Sequence, residues 1–327
     1  MAKEINTIAV LTSGGDAPGM NAATRAVVRQ ALAKGKRVIG IRRGYAGLLA
    51  EDMYEMNNSS VSDTISRGGT ILLSARCKEF HKPEVQDQAA EICKKHGIDA
   101  LVVIGGDGSF RGAQRLAERG INTVGIPGTI DLDISCTDYT IGFDTACNTA
   151  MEAIDKVRDT SNSHQRCSII EVMGRKAGYI AVWCGLAVGA EEILIYEKFD
   201  GDIMKLTREV AARVAEAKKK GKDHYIIINA EGVGHSAEMA KDIELLTGVE
   251  TRATILGHMQ RGGSPTCKDR LYATVMGAKA VDLLLEGKTK RIVAYKGGEF
   301  VDFDIDEALA MKKSVDEYML EISHSLI

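Results

Sequence analysis

The chain has 327 residues, of which 45% are apolar and 27% charged, and its formal net charge is −3. This length suits about two domains with buried cores. The composition excludes a disordered chain, a membrane-spanning protein and the strongly basic surface of a nucleic-acid binder, so we expect neither a membrane nor a nucleic-acid partner. The 34 glycines against 4 prolines are unusual, and they indicate glycine at specific positions of a folded structure.

Short β-branched runs alternate with amphipathic stretches along the whole chain. Strands are predicted at Ile5–Thr12, Arg37–Ile41, Ala100–Ile104, Thr123–Ile126, Cys167–Val172, Ile193–Tyr196, Tyr225–Asn229 and Ile292–Ala294. Helices are predicted at Met20–Lys34, Glu84–His96, Phe110–Arg119, Asp144–Asp159, Ala177–Val188, Asp202–Lys220 and Leu271–Leu285. This alternation is typical of an α/β fold with mainly parallel sheets covered by helices on both faces. Ligands of such sheets bind beyond the carboxyl ends of the strands.

Two glycine-rich loops follow predicted strands in the first third of the chain. Ser13–Gly19 (SGGDAPG) joins the first strand to the first helix, which suits an anion at a helix N-terminus or simply a tight turn. Gly105–Ser109 (GGDGS) surrounds Asp107 with three glycines. Glycine lets a phosphate approach the backbone, and a carboxylate there suits Mg²⁺. The alternative is that Asp107 serves only as the N-cap of the next helix.

A third loop, Gly125–Asp133, carries two carboxylates, Asp131 and Asp133, two positions apart. In an extended backbone both would point to the same side. A carboxylate beside phosphate-binding glycines suits a general base that takes a proton from an attacking hydroxyl. The alternative is a solvated loop, which the apolar neighbours of the two carboxylates disfavour.

The second half of the chain supplies cations close to predicted strands and turns, namely Arg166, Arg175, Arg252 and Arg261. Arginine binds phosphate through two parallel hydrogen bonds, so several of them at strand ends would surround a phosphate ester. Each arginine taken singly suits a surface or salt-bridge position, and His258 alone suits a core or surface position. Together with the phosphate loops of the first half, they indicate a phosphotransferase.

The chain closely resembles the bacterial ATP-dependent 6-phosphofructokinase family. The matching motifs run in the family's order and are TSGGDAPGMNAA (12–23), GYAGL (44–48), SVSD, RGGT and SAR (within 60–76), VVIGGDGS (102–109), PGTID (127–131), TDYTIGFDTA (137–146), RDTSNSHQR (158–166), EVMGR (171–175), ETRATILGHMQRGGSP (250–265) and DR (269–270). The resemblance implies two Rossmann-like three-layer α/β/α domains. The larger, 1–138 plus 252–305, would bind ATP, and the smaller, 139–251 plus 306–327, would bind fructose 6-phosphate.

The resemblance further implies that the ATP γ-phosphoryl group is transferred to the 1-hydroxyl of fructose 6-phosphate with Mg²⁺. The residues that would contact ATP are Gly15, Arg76, Cys77, Gly106, Asp107, Gly108 and Ser109, with Asp107 also on the Mg²⁺. Asp131 would be the base, and Thr129, Arg76 and Arg175 would stabilise the transferring group. The sugar would be held by Thr129, Ile130, Asp131, Met173, Gly174, Arg175, Glu231, His258, Met259, Gln260 and Arg261. Arg166 and Arg252 would reach the 6-phosphate from a neighbouring subunit of a homotetramer.

Three alternatives to this activity stay open at the level of sequence. Pyrophosphate-dependent relatives usually carry a bulky or charged residue where this chain has Gly108 and Gly128, which favours ATP as the donor. Lipid and NAD kinases share a GGDG loop but would lack the PGTID and GHMQRGG motifs. A catalytically silent regulatory subunit would be expected to lose Asp107 or Asp131, and both are present.

The chain departs from the family pattern at the substrate site and at the effector site. Leu132 stands where the family usually has asparagine. The family's site for ADP or phosphoenolpyruvate would comprise Arg25, Arg29, Arg158, Gly189, Ala190, Glu191, Lys220, Lys222, Asp223 and His224. Two of its usual basic residues are replaced here, by Asn58 and Asp223. Because the positive charge is reduced, we expect weakened or altered allosteric regulation.

The cysteines and histidines indicate the compartment and argue against a zinc site. None of the 7 cysteines is spaced C-x-x-C, and the 7 histidines are dispersed, so no zinc cluster is expected. Met1–Asn6 carries charges and lacks the apolar core of a signal peptide. We therefore expect free thiols in the cytoplasm.

Overall fold

The structure, a computed structural model, describes residues 4–325. The strands are β1 (Thr7–Thr12), β2 (Arg37–Ile41), β3 (Met53–Met56), β4 (Ala100–Gly105), β5 (Asn122–Pro127), β6 (Cys167–Val172), β7 (Glu192–Leu194), β8 (Tyr225–Ala230), β9 (Thr251–Ile255), β10 (Arg291–Lys296) and β11 (Glu299–Asp304). The α-helices are α1 (Met20–Ala33), α2 (Gly44–Leu49), α3 (Pro83–Lys95), α4 (Asp107–Ala117), α5 (Phe143–His164), α6 (Tyr179–Ala187), α7 (Ile203–Lys219), α8 (Ser236–Thr247), α9 (Cys267–Leu285), α10 (Ile305–Ala310) and α11 (Glu317–Ser325).

The chain divides into two compact units, each assembled from several segments. The first comprises the chain up to Ile130, Ile134–Thr145 and Arg261–Lys313. The second comprises Asp131–Asp133, Ala146–Gln260 and the chain from Ser314 onward. No helix among residues 4–325 is long and apolar enough to span a bilayer.

The first unit is built on a seven-stranded sheet in the order β11-β10-β5-β4-β1-β2-β3. The inner strands run parallel, and each edge strand is antiparallel to its neighbour. β1 and β4 are buried along their whole length, as expected for strands covered by helices on both faces. Thr12 pairs with Ile104, and Gly105 with Pro127. The loops that follow β1, β4 and β5 therefore start at one edge of this sheet.

Two glycines explain how helices of the first unit end and pack. Gly35, with φ of +71°, follows α1 and donates to Leu32 O, while Lys36 donates to Ala31 O, which is the hydrogen-bond pattern of a Schellman cap. The predicted end of the first helix is therefore confirmed. On α9, a Cβ at Gly277 would lie 2.7 Å from Ala26 Cβ, so glycine permits the close crossing of α9 and α1.

The second unit is built on a four-stranded parallel sheet in the order β7-β8-β6-β9. Its core on one face joins strand residues such as Ile169 and Ile227 to Val210 of α7 and Ile243 of α8. β6 and β8 pair in register from Cys167 to Val172. The loops after these two strands therefore begin side by side at the carboxyl edge of the sheet.

The predicted α/β fold with mainly parallel sheets is confirmed, and the unit boundaries differ from the predicted domain limits at four places. Residues 131–133 lie with the second unit, and so do residues 252–260, because β9 pairs with β6. Residues 139–145 and 306–313 lie with the first unit. Residues 1–3 and 326–327 of the predicted domains lie outside the described part of the chain.

Candidate functional site

The loop after β4 presents an open helix N-terminus. α4 begins at Asp107, and its N-cap is Gly106 without a side-chain cap, so the suggestion that Asp107 is the N-cap is wrong. A Cβ placed on Gly106 or Gly108 would meet no atom within 4 Å. Backbone N–H groups and the positive end of the helix dipole therefore face open space beside one half-buried carboxylate.

Ser109 anchors this loop to the rest of the first unit. Its side chain is buried, and its hydroxyl donates to Ser13 O at 3.2 Å. The Tyr45 hydroxyl donates to Ser109 O at 2.6 Å, and burial raises the Tyr45 pKa, which keeps this donor protonated. The predicted ATP residue Ser109 thus directs its side chain into the protein, where it joins the first two glycine-rich loops.

Gly15 and Arg261 meet in the first unit although 246 positions separate them in sequence. A Cβ on Gly15 would lie 2.5 Å from Arg261 Nη1, which in turn donates to Asp16 O at 3.0 Å. The Arg261 guanidinium therefore packs against the backbone of the first glycine-rich loop. Glycine at position 15 is required for this approach.

Arg76 and Cys77 lie in an irregular segment of the first unit, just before a short 3₁₀ helix, Lys78–His81. Arg76 is exposed and Cys77 half-buried, and burial raises the pKa of the Cys77 thiol. Ser74 ties this segment to the first loop, because its hydroxyl donates to Gly14 O at 2.6 Å. The sequence carries no periodic signal that would have identified this link.

Gly128, Thr129 and Ile130 follow β5, and the last two are buried. A Cβ on Gly128 would lie 3.1 Å from Ile104 Cγ2 and 3.2 Å from Met20 Cε. Internal packing is therefore reason enough for glycine at this position. Of the two glycines used to favour ATP, only Gly108 borders open space.

Asp131 forms an ion pair with Arg175 inside the second unit. Its Oδ2 lies 3.3 Å from Arg175 Nε, and the aspartate side chain is 1% exposed against 51% for the arginine. Leu132 has φ of +55°, so the backbone is left-handed and not extended. The expectation that Asp131 and Asp133 share one side is therefore wrong, since that alternation requires extended backbone; Asp131 is buried and Asp133 only half-buried.

The backbone of Arg175 is held in an unusual conformation by the loop after β8. Gly174 and Arg175 have φ of +141° and +54°. The Arg175 N–H donates to Glu231 Oε1 at 3.0 Å, and a Cβ on Gly232 would lie 2.3 Å from Arg175 O. Glu231, predicted to contact the sugar, therefore also fixes the residue that pairs with the buried aspartate.

Gln260 is buried, whereas its neighbours His258 and Met259 are exposed on the 3₁₀ helix that begins at Gly257. The Gln260 amide accepts from Met173 N at 3.3 Å and donates to Gly257 O at 3.1 Å. Two loops predicted to hold the sugar are thus joined by this side chain. The motif alone does not distinguish such a link from a substrate contact.

Arg166 and Arg252 lie at the opposite edge of the second sheet. Arg166 precedes β6 and Arg252 is the second residue of β9. Both guanidinium groups contact Glu250, at 2.8 Å and 2.5 Å, and the hydrogen bond from Arg166 is the largest cause that lowers the Glu250 pKa. A six-residue strand is about 20 Å long. These arginines therefore stand a full strand length from the loop that carries Arg175.

The predicted effector residues fall in both units. Arg25 and Arg29 lie on α1 of the first unit. The second unit holds Arg158, Gly189, Ala190, Glu191, Lys220, Lys222, Asp223 and His224. Lys222 Nζ lies 2.7 Å from Oε1 of buried Glu191, and Asp223 accepts from Gln165 at 3.2 Å. The Lys222 ammonium is thus neutralised by a carboxylate of the same chain, and Asp223 adds negative charge next to Lys222.

Comparison with known proteins gives consistent matches. The family model described as Phosphofructokinase matches residues 7–284. A Clostridium botulinum (strain Loch Maree / Type A3) protein named ATP-dependent 6-phosphofructokinase is 58% identical over 320 residues, covering 98% of each chain. The Clostridium perfringens (strain 13 / Type A) protein named ATP-dependent 6-phosphofructokinase 1 is 57% identical with the same coverage.

Solved structures show the same fold. Phosphofructokinase from Saccharomyces cerevisiae superposes with a TM-score of 0.84 at 35% identity. The match covers 98% of this chain and 46% of the yeast chain, so this chain spans about half the length of that relative. A pyrophosphate-dependent phosphofructokinase from Marinobacter aquaeolei superposes at 0.84 with 23% identity, covering 96% of this chain and 86% of the other.

Proposed function

This chain belongs to the phosphofructokinase family, and on that premise we propose that it transfers the γ-phosphoryl group of ATP to the 1-hydroxyl of fructose 6-phosphate. The observation that carries the proposal is the ion pair between buried Asp131 and half-exposed Arg175. It combines a proton acceptor with a cation that reaches solvent and incoming phosphate. Phosphoryl transfer depends on such positioning and charge more than on covalent help from the protein.

Each residue of the pair has a distinct task. Asp131 accepts the proton of the sugar 1-hydroxyl as that oxygen attacks phosphorus, and the aspartate needs no large movement because burial restricts its side chain. Arg175 neutralises the charge that spreads over the equatorial phosphate oxygens. Glu231 keeps Arg175 in place through the backbone hydrogen bond at 3.0 Å.

Asp107 suits the Mg²⁺ that accompanies ATP. Among residues 4–325, no group of three or more His, Cys, Asp or Glu side chains is arranged to hold a metal alone. A single carboxylate at an open helix N-terminus still fits, because Mg²⁺ retains water and takes one or two carboxylates together with the phosphates of its substrate. Bound there, the ion supplies positive charge to the phosphate oxygens.

ATP is favoured over pyrophosphate by the space around Gly108. That glycine is exposed and has no neighbour that a Cβ would touch, so the loop leaves room for a nucleotide beyond its phosphates. The 57–58% identical relatives named as ATP-dependent agree with this choice. Pyrophosphate remains the alternative donor to be tested.

The positions of Arg166 and Arg252 favour a shared site in an oligomer. Since they stand about one strand length from the Arg175 loop, one chain cannot easily place both sets on a single sugar phosphate. A neighbouring copy would supply the two arginines to the 6-phosphate, and we propose a homotetramer. None of the seven cysteines, all of which lie in the described part of the chain, forms a disulfide, which supports a reducing, cytoplasmic location.

Regulation by an anionic effector is proposed to be weak or altered. Lys222 is paired with Glu191, and Asp223 and Asn58 replace two basic residues of the family pattern. A lower positive charge weakens the attraction for ADP or phosphoenolpyruvate.

A coupled assay with fructose 6-phosphate tests these proposals together. ATP is expected to support turnover, pyrophosphate is expected to give none, and added ADP is expected to change the fructose 6-phosphate curve little. Comparable rates with pyrophosphate would reverse the choice of donor. ATP binding without turnover would instead indicate a regulatory subunit.

A further inference from the structure

Asp269 lies in the first turn of α9, in the first unit, and its carboxylate is fully buried. Burial is the largest influence on its pKa, which is raised, while hydrogen bonds from its neighbours act in the opposite direction. A buried charge contributes little net stability even when it is well hydrogen-bonded. Fixing a conformation is therefore the property that this side chain is best suited to provide.

The hydrogen bonds of Asp269 require a carboxylate. Its Oδ1 accepts from the Tyr139 hydroxyl at 2.6 Å and from Gly142 N at 2.7 Å, and its Oδ2 accepts from both the backbone N–H and the hydroxyl of Thr145. Two backbone N–H groups thus bind different oxygens. An amide would turn its NH₂ group toward one of these donors. The carboxylate also lies at the N-terminus of α5, where the helix dipole favours an anion.

The segment that Asp269 holds supports the loops after β1 and β5 in the first unit. Ile141 donates its N–H to Pro127 O at 2.9 Å, at the end of β5. A Cβ on Gly142 would lie 2.6 Å from Ala17 Cβ, and a Cβ on Gly19 would lie 2.6 Å from Ile141 Cγ2. Ile141 and Gly142 are therefore packed against the loop after β1 and bonded to the loop after β5.

We propose that Asp269 is a positioning residue for phosphoryl transfer, which fixes Ile141 and Gly142 and, through them, the loops that carry Gly15 and Thr129. This inference rests on the proposed function. Asp269 itself touches neither substrate. Displacing such loops by about 1 Å is enough to slow a positioned reaction by up to about 100-fold.

The test is the Asp269→Asn variant of the full chain. This substitution keeps the size of the side chain and replaces one accepting oxygen with an NH₂ donor. We expect kcat/KM for ATP to fall at least about 10-fold, with a lower kcat and a higher KM for ATP. The KM for fructose 6-phosphate should rise less than the KM for ATP, because most of the proposed sugar residues belong to the second unit. Steady-state kinetics and calorimetric ATP binding measure both effects.

A matched pair at Thr145 keeps the test decisive if Asp269→Asn does not fold. Thr145→Val removes the hydroxyl that donates to Asp269 and should lower kcat/KM for ATP in the same sense, and Thr145→Ser should restore it. Asp302→Asn is the stability control, because it breaks the Asp302–Arg291 ion pair of the same sheet, far along the chain from both loops. It should lower Tm without changing the kinetic constants.

The outcomes separate the inference from the function on which it rests. A folded Asp269→Asn or Thr145→Val protein with a lowered Tm and wild-type kinetic constants overturns the positioning role. A wild-type chain without turnover on ATP and fructose 6-phosphate overturns the proposed function instead.

Discussion

Asp131 is the residue whose chemistry is tested most directly by substitution. Asp131→Ala removes the proposed base and is expected to lower kcat at least about 100-fold, the lower end for losing an acid–base group. Asp131→Asn should act similarly, since it keeps the shape and loses the proton acceptor. Steady-state kinetics with saturating substrates measure the change.

The control for this prediction is Asp138→Asn. Asp138 is exposed in the same stretch of chain, and its side chain accepts a hydrogen bond from Gly297 N at 2.9 Å. It should retain wild-type kcat. A kcat near the wild-type value for Asp131→Ala would remove Asp131 from the role of base.

The conformation of single residues is also where sequence-based prediction stops. The residue types of this loop indicated a general base among its two carboxylates, and the family resemblance assigned that role to Asp131. They did not reveal that Leu132 adopts a left-handed backbone, which costs a branched side chain on the order of 1 kcal/mol and turns Asp133 away. Nor did the HMQR motif show that Gln260 bonds to Met173 and Gly257 and lies buried.

At the scale of elements, the two glycines linked to the choice of donor make opposite predictions. Gly108 lies in the first turn of α4 with open space around it, so Gly108→Ala should raise stability by up to about 1 kcal/mol through helix propensity. The new methyl group would occupy space proposed for the nucleotide, and KM for ATP should rise. Thermal denaturation and steady-state kinetics measure the two effects.

Gly128→Ala is the matched variant in the loop after β5. Its Cβ would press on Ile104 and Met20, so Tm should fall while KM for ATP changes less than in Gly108→Ala. If both variants raised KM for ATP equally with no change in Tm, the packing argument for Gly128 would fail.

Strands could be predicted from the sequence where all of their residues are buried. β1 and β4 are rich in β-branched and other apolar residues, and both were predicted because each is buried on both faces. β9 was missed because it mixes polar and apolar residues and is half-buried or exposed after its first residue. The predicted boundary at residue 252 came from the family resemblance, and the unit boundary differs from it because β9 adds to the sheet of the second unit.

At the scale of the whole molecule, the distance between the two ends of the second sheet leads to a prediction. Two chains with different defects should restore activity when they are mixed. Asp131→Ala and Arg166→Ala damage residues proposed to come from different copies to one site. Randomly mixed subunits should regain about a quarter of wild-type activity, because half of the pairs are hybrids with one intact site of two. The assay follows activity after reversible dissociation and mixing.

The matched control mixes Asp131→Ala with Arg175→Ala. Both residues are paired within the same chain, so every hybrid site keeps one defect and no activity should return. Recovery in this control, or none in the first mixture, would contradict the proposed sharing of the site.

The strand order of the first unit has a consequence for synthesis on the ribosome. β5 needs β10 as its neighbour, yet about 160 residues, including most of the second unit, are made between them. At bacterial and eukaryotic elongation rates this leaves one side of β5 uncovered for about 10 to 30 s. The second unit, whose four strands follow one another in sequence, can close its sheet first. The nascent chain is therefore most exposed to aggregation before Arg291 emerges, which is the interval in which a chaperone would matter most.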